Sequence, residues 1–197
     1  MPKNINISGI FTLALLAAII ATLCDANHVF TQTLSYPDPL LFNQAWWVFP
    51  GFFIAFASMA ITYLLLAHQL KSNLHVLQST NKGSYSAMIQ DLSAFALAYL
   101  LSGFGNFHPD LLCLIFYGVF ALRFIFSYER AWLLIIALLL AFGGMFFEGL
   151  LAQFALVQYR EPDIFNVPYW LGGVYMIGAF ALRSGMRALV YKSSLQA

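Results

Sequence analysis

Glu148, in the stretch "GGMFFEGLLAQF", places a carboxylate inside an otherwise apolar run. An ionised acid at the centre of a bilayer costs roughly 2.5 to 3.5 kcal/mol even on forgiving insertion scales, so something must compensate it. Three arrangements would do so: a hydrogen bond to a neighbouring helix, a ligand or proton site in a wet cavity, or a protonated acid facing lipid. Gln153 lies five residues further on, off the face of Glu148 by ideal helical geometry but in the same half of the run. An interhelical hydrogen bond from it is worth only about 0.6 kcal/mol on average. Asp25 and His28 stand at i and i+3. If the helix continues through them they share a face and could form an acid and imidazole pair able to move a proton; otherwise they mark a solvated helix end. Metal chemistry has no comparable footing, because His28, His68, His75 and His108 form no HxxxH or HExxH pattern, and neither a metal nor another cofactor is expected.

The elements that must position these residues follow from composition. The chain has 197 residues, 61% hydrophobic and 9% charged, which is outside the balance of a soluble domain and reads as an integral membrane protein. Basic and acidic residues nearly cancel to a formal charge of +1, leaving no basic surface to neutralise phosphates, so nucleic acid is not an expected partner. Cys24 and Cys113 both sit at or within apolar stretches and read as small apolar fillers rather than a disulfide framework.

Crossing about 30 Å of hydrocarbon takes about 20 residues of helix. Six runs qualify, approximately 7–24, 45–67, 87–105, 111–126, 131–157 and 167–190. The first has one basic residue before it but no small-x-small site after it, so it reads as a membrane helix rather than a removable signal. The glycines and proline of "GFGNFHPD" fold the third and fourth runs into a hairpin. No connection is long enough for an independent core, which makes residues 1–197 a single six-span all-α domain. Under this count Lys3, Lys71, Lys82, Arg123, Arg130, Arg183, Arg187 and Lys192 fall on one side and only Arg160 on the other. The asymmetry predicts that both termini are cytoplasmic.

The opposite side collects Asp25, His28, Tyr36, His108, Asp110 and Asp163 together with aromatic residues. Trp46, Trp47, Tyr159 and Trp170 fall at predicted interfaces, where amphipathic rings commonly form a belt. Small residues four apart (Ala14 with Ala18, Ala17 with Ala21, Ala181 with Gly185) permit close helix contact.

Several stretches, in order, resemble the insulin-induced gene (INSIG) family of six-span proteins. "AWWVFP" is similar to the family's AWWVPP at the start of its second span. "LLAQFALVQYREPDIFNVPYWL" is similar to the family's TQF, then YxxPDF, then a tryptophan and leucine opening the last span. Gly178 and Arg187 fall where the family has a glycine and the arginine of its terminal GRQ. The likeness runs from Ala45 to Leu189. In the third span "ALAYLLSGFGNF" lacks the Asn, His, Lys and Asp of the animal GINHASAKLDF motif, "WLGG" replaces WLPC, and Glu148 has no animal counterpart. The chain thus resembles a distant, bacterial homologue.

The resemblance implies an INSIG-like bundle with a cavity for a lipid or sterol-like ligand, no catalysis, and a regulated partner membrane protein. On this reading Trp46, Trp47 and Pro50 shape the second span, and Gln153, Phe154, Tyr159, Pro162, Asp163 and Trp170 belong to the matching fifth and sixth spans. With Glu148, Gly178 and Arg187 they make the expected ligand-binding set. A mostly apolar lining would supply affinity and sparse polar groups orientation. The rival readings are a membrane enzyme acting on lipids through Glu148 or the Asp25 and His28 pair, and a proton-coupled small carrier. The expected location is the cytoplasmic membrane in a bacterial host and the endoplasmic reticulum in a eukaryotic one.

Overall fold

A computed structural model describes residues 5–105 and 108–193. Six helices carry the fold: α1 (Ile7–Phe30), α2 (Val48–Leu70), α3 (Tyr85–Ser102), α4 (Pro109–Ile125), α5 (Arg130–Gln153) and α6 (Trp170–Gly185), the last running directly into a π-helical turn, Met186–Val190. Three of them, α1, α2 and α5, are long and apolar enough to cross a membrane. The protein is an all-helical integral membrane protein.

Helix ends follow local chemistry. Ser84 caps α3 by accepting from the Ala87 amide at 3.2 Å, and Pro109 opens α4, where its missing N–H is not needed. The first helix differs from expectation, continuing six residues past Cys24 to Phe30. Polar residues end a membrane helix only when nothing inside the protein can satisfy them, and here Asp25 and His28 find internal partners. The two connections at that end of the bundle pair in a short antiparallel ribbon, β1 (Leu34–Ser35) with β2 (Gln158–Tyr159). At the opposite end Ile5 bridges to Tyr191 and the Asn6 amide donates to the Val190 carbonyl at 2.8 Å. Both ends of the described chain therefore emerge on the same side. The bundle thus has a ribbon end and a termini end.

Helices α1, α3 and α6 form the centre, α2 packs along α1, and α4 and α5 pack along α6. Ala14, Ala18 and Ala21 are fully buried on one stripe of α1 that continues into Cys24, Asp25 and His28. Such small residues let backbones approach without losing dispersion contact. The closest approach is at Gly9, where an added Cβ would stand 2.0 Å from the Leu189 carbonyl oxygen. Only glycine fits there, and it locks the start of α1 to the π turn.

Seven of the eight described basic residues lie at the termini end with two acids, Asp91 and Glu129, whereas the ribbon end holds six acids and Arg160. Lys3 lies outside the described residues.

Candidate functional site

Glu148 sits in the last third of α5 and turns toward α6 and the ribbon. Its two carboxylate oxygens accept separate hydrogen bonds, one from the Tyr159 hydroxyl and one from the Tyr175 hydroxyl of α6. Tyr175 reaches it by lying over Gly144, one turn earlier on α5, where an added Cβ would stand 2.5 Å from the ring. Thus a glycine clears the space, a tyrosine fills it, and the acid gains a neutral donor from the adjacent helix.

A second carboxylate faces the same region. Asp25, 2% exposed, accepts from the Gln44 side-chain amide at 2.6 Å and from the Tyr36 hydroxyl at 2.8 Å, both on the same oxygen. Gln44 also donates to the Thr22 carbonyl at 3.0 Å, which pins the entry of α2 onto α1. Asp25 and Glu148 lie within electrostatic reach of one another, and Tyr99 of α3 lies within reach of both. No arginine or lysine bonds to either acid among the described residues; hydroxyls and an amide hold them. In the connections, burial and then the neighbouring Asp25 charge push the Tyr36 phenol well above its ordinary range, and burial and the Glu148 charge do the same to Tyr159. Both remain neutral donors.

The expected Asp25 and His28 pair does not form, nor is this a solvated helix end. His28 is 1% exposed, with Nδ1 against the Cys24 carbonyl at 3.0 Å and Nε2 against the Ser102 hydroxyl at 2.9 Å. The Trp170 ring stacks beside it at 6.1 Å between centroids. Residues at i and i+3 share a face, but each side chain turned to a different neighbouring element.

Helices α2 and α5 meet through side chains. At the termini end the Trp132 indole of α5 donates to the Tyr63 hydroxyl of α2 at 3.1 Å, with the rings edge to face at 5.0 Å, and Tyr63 donates on to the Ser79 carbonyl at 3.0 Å. Beyond that clamp α2 and α5 share little contact, each following its own partner, α1 or α6. Phe52, Phe56 and Met59 on α2 and Met145 on α5 are partly buried and pack against the core. Beside the ribbon, a cavity of about 390 Å³ runs between Val29, Leu34, Tyr159 and Arg160.

No protein-family model and no curated protein matches the chain. Among solved structures, a mycobacterial Insig homologue, MvINS from Mycobacterium vanbaalenii, superposes with a TM-score of 0.74 at 19% identity, covering 94% of this chain and 95% of that one. A cross-linked trimer of a cysteine variant of MvINS gives a TM-score of 0.75, again at 19% identity, over 93% and 95% of the two chains. The chain has an INSIG-like fold.

On this INSIG-like frame the residues singled out from sequence fall into separate groups. Glu148 and Tyr159 join the cluster, and Trp47 packs edge to face on Tyr36 at 5.7 Å. Trp46 and Phe154 are exposed, and Pro50 lies in the first turn of α2. Gln153 and Asp163 brace the connection before α6, bonding Asn166 at 3.1 Å and the Tyr169 amide at 3.0 Å, with Pro162 exposed beside them. Tyr159 and Trp170 are buried, so neither belongs to an interfacial belt. Gly178 gives room to Phe95, 3.2 Å from where a Cβ would stand. Arg187 lies at the termini end, donating to the Tyr128 hydroxyl at 2.5 Å. His108 and Asp110 are exposed at the start of α4.

Sequence reasoning missed Gln44, Tyr99, Tyr175 and Ser102. The available signal was indirect: a buried acid needs donors, and tyrosines within apolar runs are the nearest source.

Proposed function

We propose that this INSIG-like protein is a non-enzymatic lipid binder that takes up a lipid or sterol-like molecule in a cleft between α2 and α5. The polar head is oriented by the Asp25, Tyr36 and Gln44 group on one wall and the Glu148, Tyr159 and Tyr175 group on the other. The observation that supports the reading is a pair of carboxylates, within electrostatic reach of one another, held by neutral donors inside an apolar bundle. A neutral hydroxyl on a ligand can exchange with a tyrosine hydroxyl without creating or burying a charge, whereas a salt-bridged acid would lose its counter-ion. Phe52, Phe56, Met59 and Met145 supply apolar surface for the tail, and Met side chains adapt to irregular shapes. Trp46, Trp47 and Pro50 frame the mouth, and Gln153, Phe154, Pro162, Asp163 and Trp170 hold the connection that closes it. The termini end, rich in lysine and arginine, faces the cytoplasm, and occupancy of the cleft sets the spacing of α2 and α5 that a partner membrane protein reads.

Native mass spectrometry of the full chain purified in mild detergent tests this. The expected result is a co-purifying lipid, recovered chemically unchanged and displaced by added diacylglycerol or sterol. Glu148→Leu lowers its retention more than Glu148→Gln, which keeps an acceptor for the tyrosines. Repeated absence of any retained or competable lipid would overturn the binding reading, and conversion of the bound lipid would replace it with an enzymatic one.

A further inference from the structure

We propose a second ligand site at the termini end, where α3, α4 and α6 meet: a corner that binds the phosphate of an anionic phospholipid, separate from the α2 and α5 cleft. A cavity of about 380 Å³ there is walled by Asp91, Arg123, Tyr128 and Arg183 on its polar side and by Leu122 and Phe126 on its apolar side. The two arginines flank one ring, with the Arg123 guanidinium 4.3 Å and the Arg183 guanidinium 5.7 Å from the Phe180 centroid. Arg183 is 6% exposed, with Nη1 donating to the Tyr128 carbonyl at 3.0 Å and Nη2 to the Ser127 hydroxyl at 2.8 Å. Arg123 differs. Its Nη2 pairs with Asp91, while Nη1 is enclosed and has no hydrogen-bond partner among the described residues.

The Arg123 side chain is 27% exposed, so an oxygen anion in the cavity can take a charge-assisted hydrogen bond from it in competition with Asp91. The local charge favours an anion, since Arg123, Arg183 and Arg187 cluster here against one carboxylate, Asp91. What makes the anion a lipid is the rim. Leu122, in the last turn of α4, is 60% exposed and Phe126, just past its end, 83%, so an apolar rim borders the mouth. A headgroup-sized space beside basic side chains, with apolar side chains leading away from it, matches a phosphate whose acyl chains lie along the protein surface.

The test uses the full chain reconstituted in phosphatidylcholine vesicles with a minority of phosphatidylglycerol, and native mass spectrometry of the released protein as the readout. The wild type is expected to retain phosphatidylglycerol in preference to phosphatidylcholine. Arg123→Gln lowers that preference about fivefold, and Asp91→Asn, which removes the competing carboxylate, raises it by a similar factor. A purely structural Asp91–Arg123 pair predicts no gain in the second variant. Equal retention of the two lipids by the wild type, or the absence of either shift, overturns the proposal; if Arg123→Gln fails to insert, Asp91→Asn alone decides. Displacement of phosphatidylglycerol by inorganic phosphate would reassign the corner to a soluble anion and overturn the lipid assignment. Lipid held in the α2 and α5 cleft is insensitive to both substitutions, so the two sites are distinguished in one experiment.

Discussion

The two ends of the bundle solve the same electrostatic problem in opposite ways. At the ribbon end, Asp25 and Glu148 are held by tyrosines and a glutamine, and α2 and α5 stand apart. At the termini end, the buried Arg183 is held by rings, a carbonyl and a hydroxyl, stacked 4.1 Å from the Tyr128 centroid, and α2 and α5 are clamped by Trp132 and Tyr63. Neutral donors can be exchanged one for another at small cost, while a stacked and bonded guanidinium cannot leave without exposing several unsatisfied groups. One end is therefore built to exchange partners, and the clamp between α2 and α5 at the other to stay closed.

The largest expected effect comes from breaking the clamp. Trp132 is fully buried, and Trp132→Ala removes its ring and leaves the Tyr63 hydroxyl without its donor. Large-to-small changes of this kind cost about 3 to 5 kcal/mol. Thermal unfolding in detergent should show a large loss of stability, whereas Trp46→Ala, at an exposed ring, should leave the midpoint nearly unchanged. Equal effects would show that the termini end is not the rigid one.

Next comes the spacing that lets Tyr175 reach Glu148. Gly144→Ala places a methyl into the Tyr175 ring, and overpacking costs about 1 to 3 kcal/mol. Glu148→Leu leaves two tyrosine hydroxyls without their acceptor, at about 1 to 3 kcal/mol for each buried group left unpaired. The two variants should lose stability and lipid retention together, and Glu148→Gln should lose less of both. Retention unchanged in Gly144→Ala while stability falls would separate the cluster from the ligand.

These contrasts also mark what the sequence discloses. Six helices and their order are legible from the apolar runs, although only α1, α2 and α5 are long and apolar enough to cross a membrane, and "AWWVFP" with the YxxPDF-like stretch locates the INSIG-like frame. The end of α1 is not legible, because Asp25 and His28 read as exposed until Gln44, Tyr36 and Ser102 are seen to reach them. The ribbon pairs residues more than 120 positions apart through two-residue strands, too short to carry a periodic signal. Tyr99 and Tyr175 hide for a related reason: in an apolar run a tyrosine differs from phenylalanine by one hydroxyl, which matters only when a carboxylate on another helix lies within its reach.

A smaller and pH-dependent effect sits at the termini end. Glu129, at the entry to α5, accepts from the amides of Leu77 and Gln78, each at 2.6 Å, and of Ser79 at 2.9 Å, fastening the 71–84 connection. Partial burial opposes ionisation of this carboxyl, but the hydrogen bonds from Ser79, Gln78 and Leu77 outweigh it and hold its pKa below the ordinary 4.5. A lowered carboxyl pKa contributes stability that is present above the ordinary value and lost as pH falls through the folded-state value. Protease protection of the connection should therefore be flat from neutral pH down to the ordinary carboxyl range and fall only in stronger acid. Glu129→Gln should be less protected at neutral pH and lack the acid step. The same step surviving in the variant would assign it to another group.

The smallest effect tests whether the ribbon end extends to the connection before α6. Gln153 is exposed and bonds Asn166 at 3.1 Å, on the far side of α5 from Glu148. Gln153→Leu removes one amide bond worth about 0.6 kcal/mol in membranes and leaves both carboxylate groups intact. Lipid retention should fall by no more than about threefold, the factor that energy allows. A loss as large as that of Glu148→Leu would mean that the 154–169 connection closes over the ligand, and that the exchangeable end of the bundle reaches past the carboxylates to the chain that covers them.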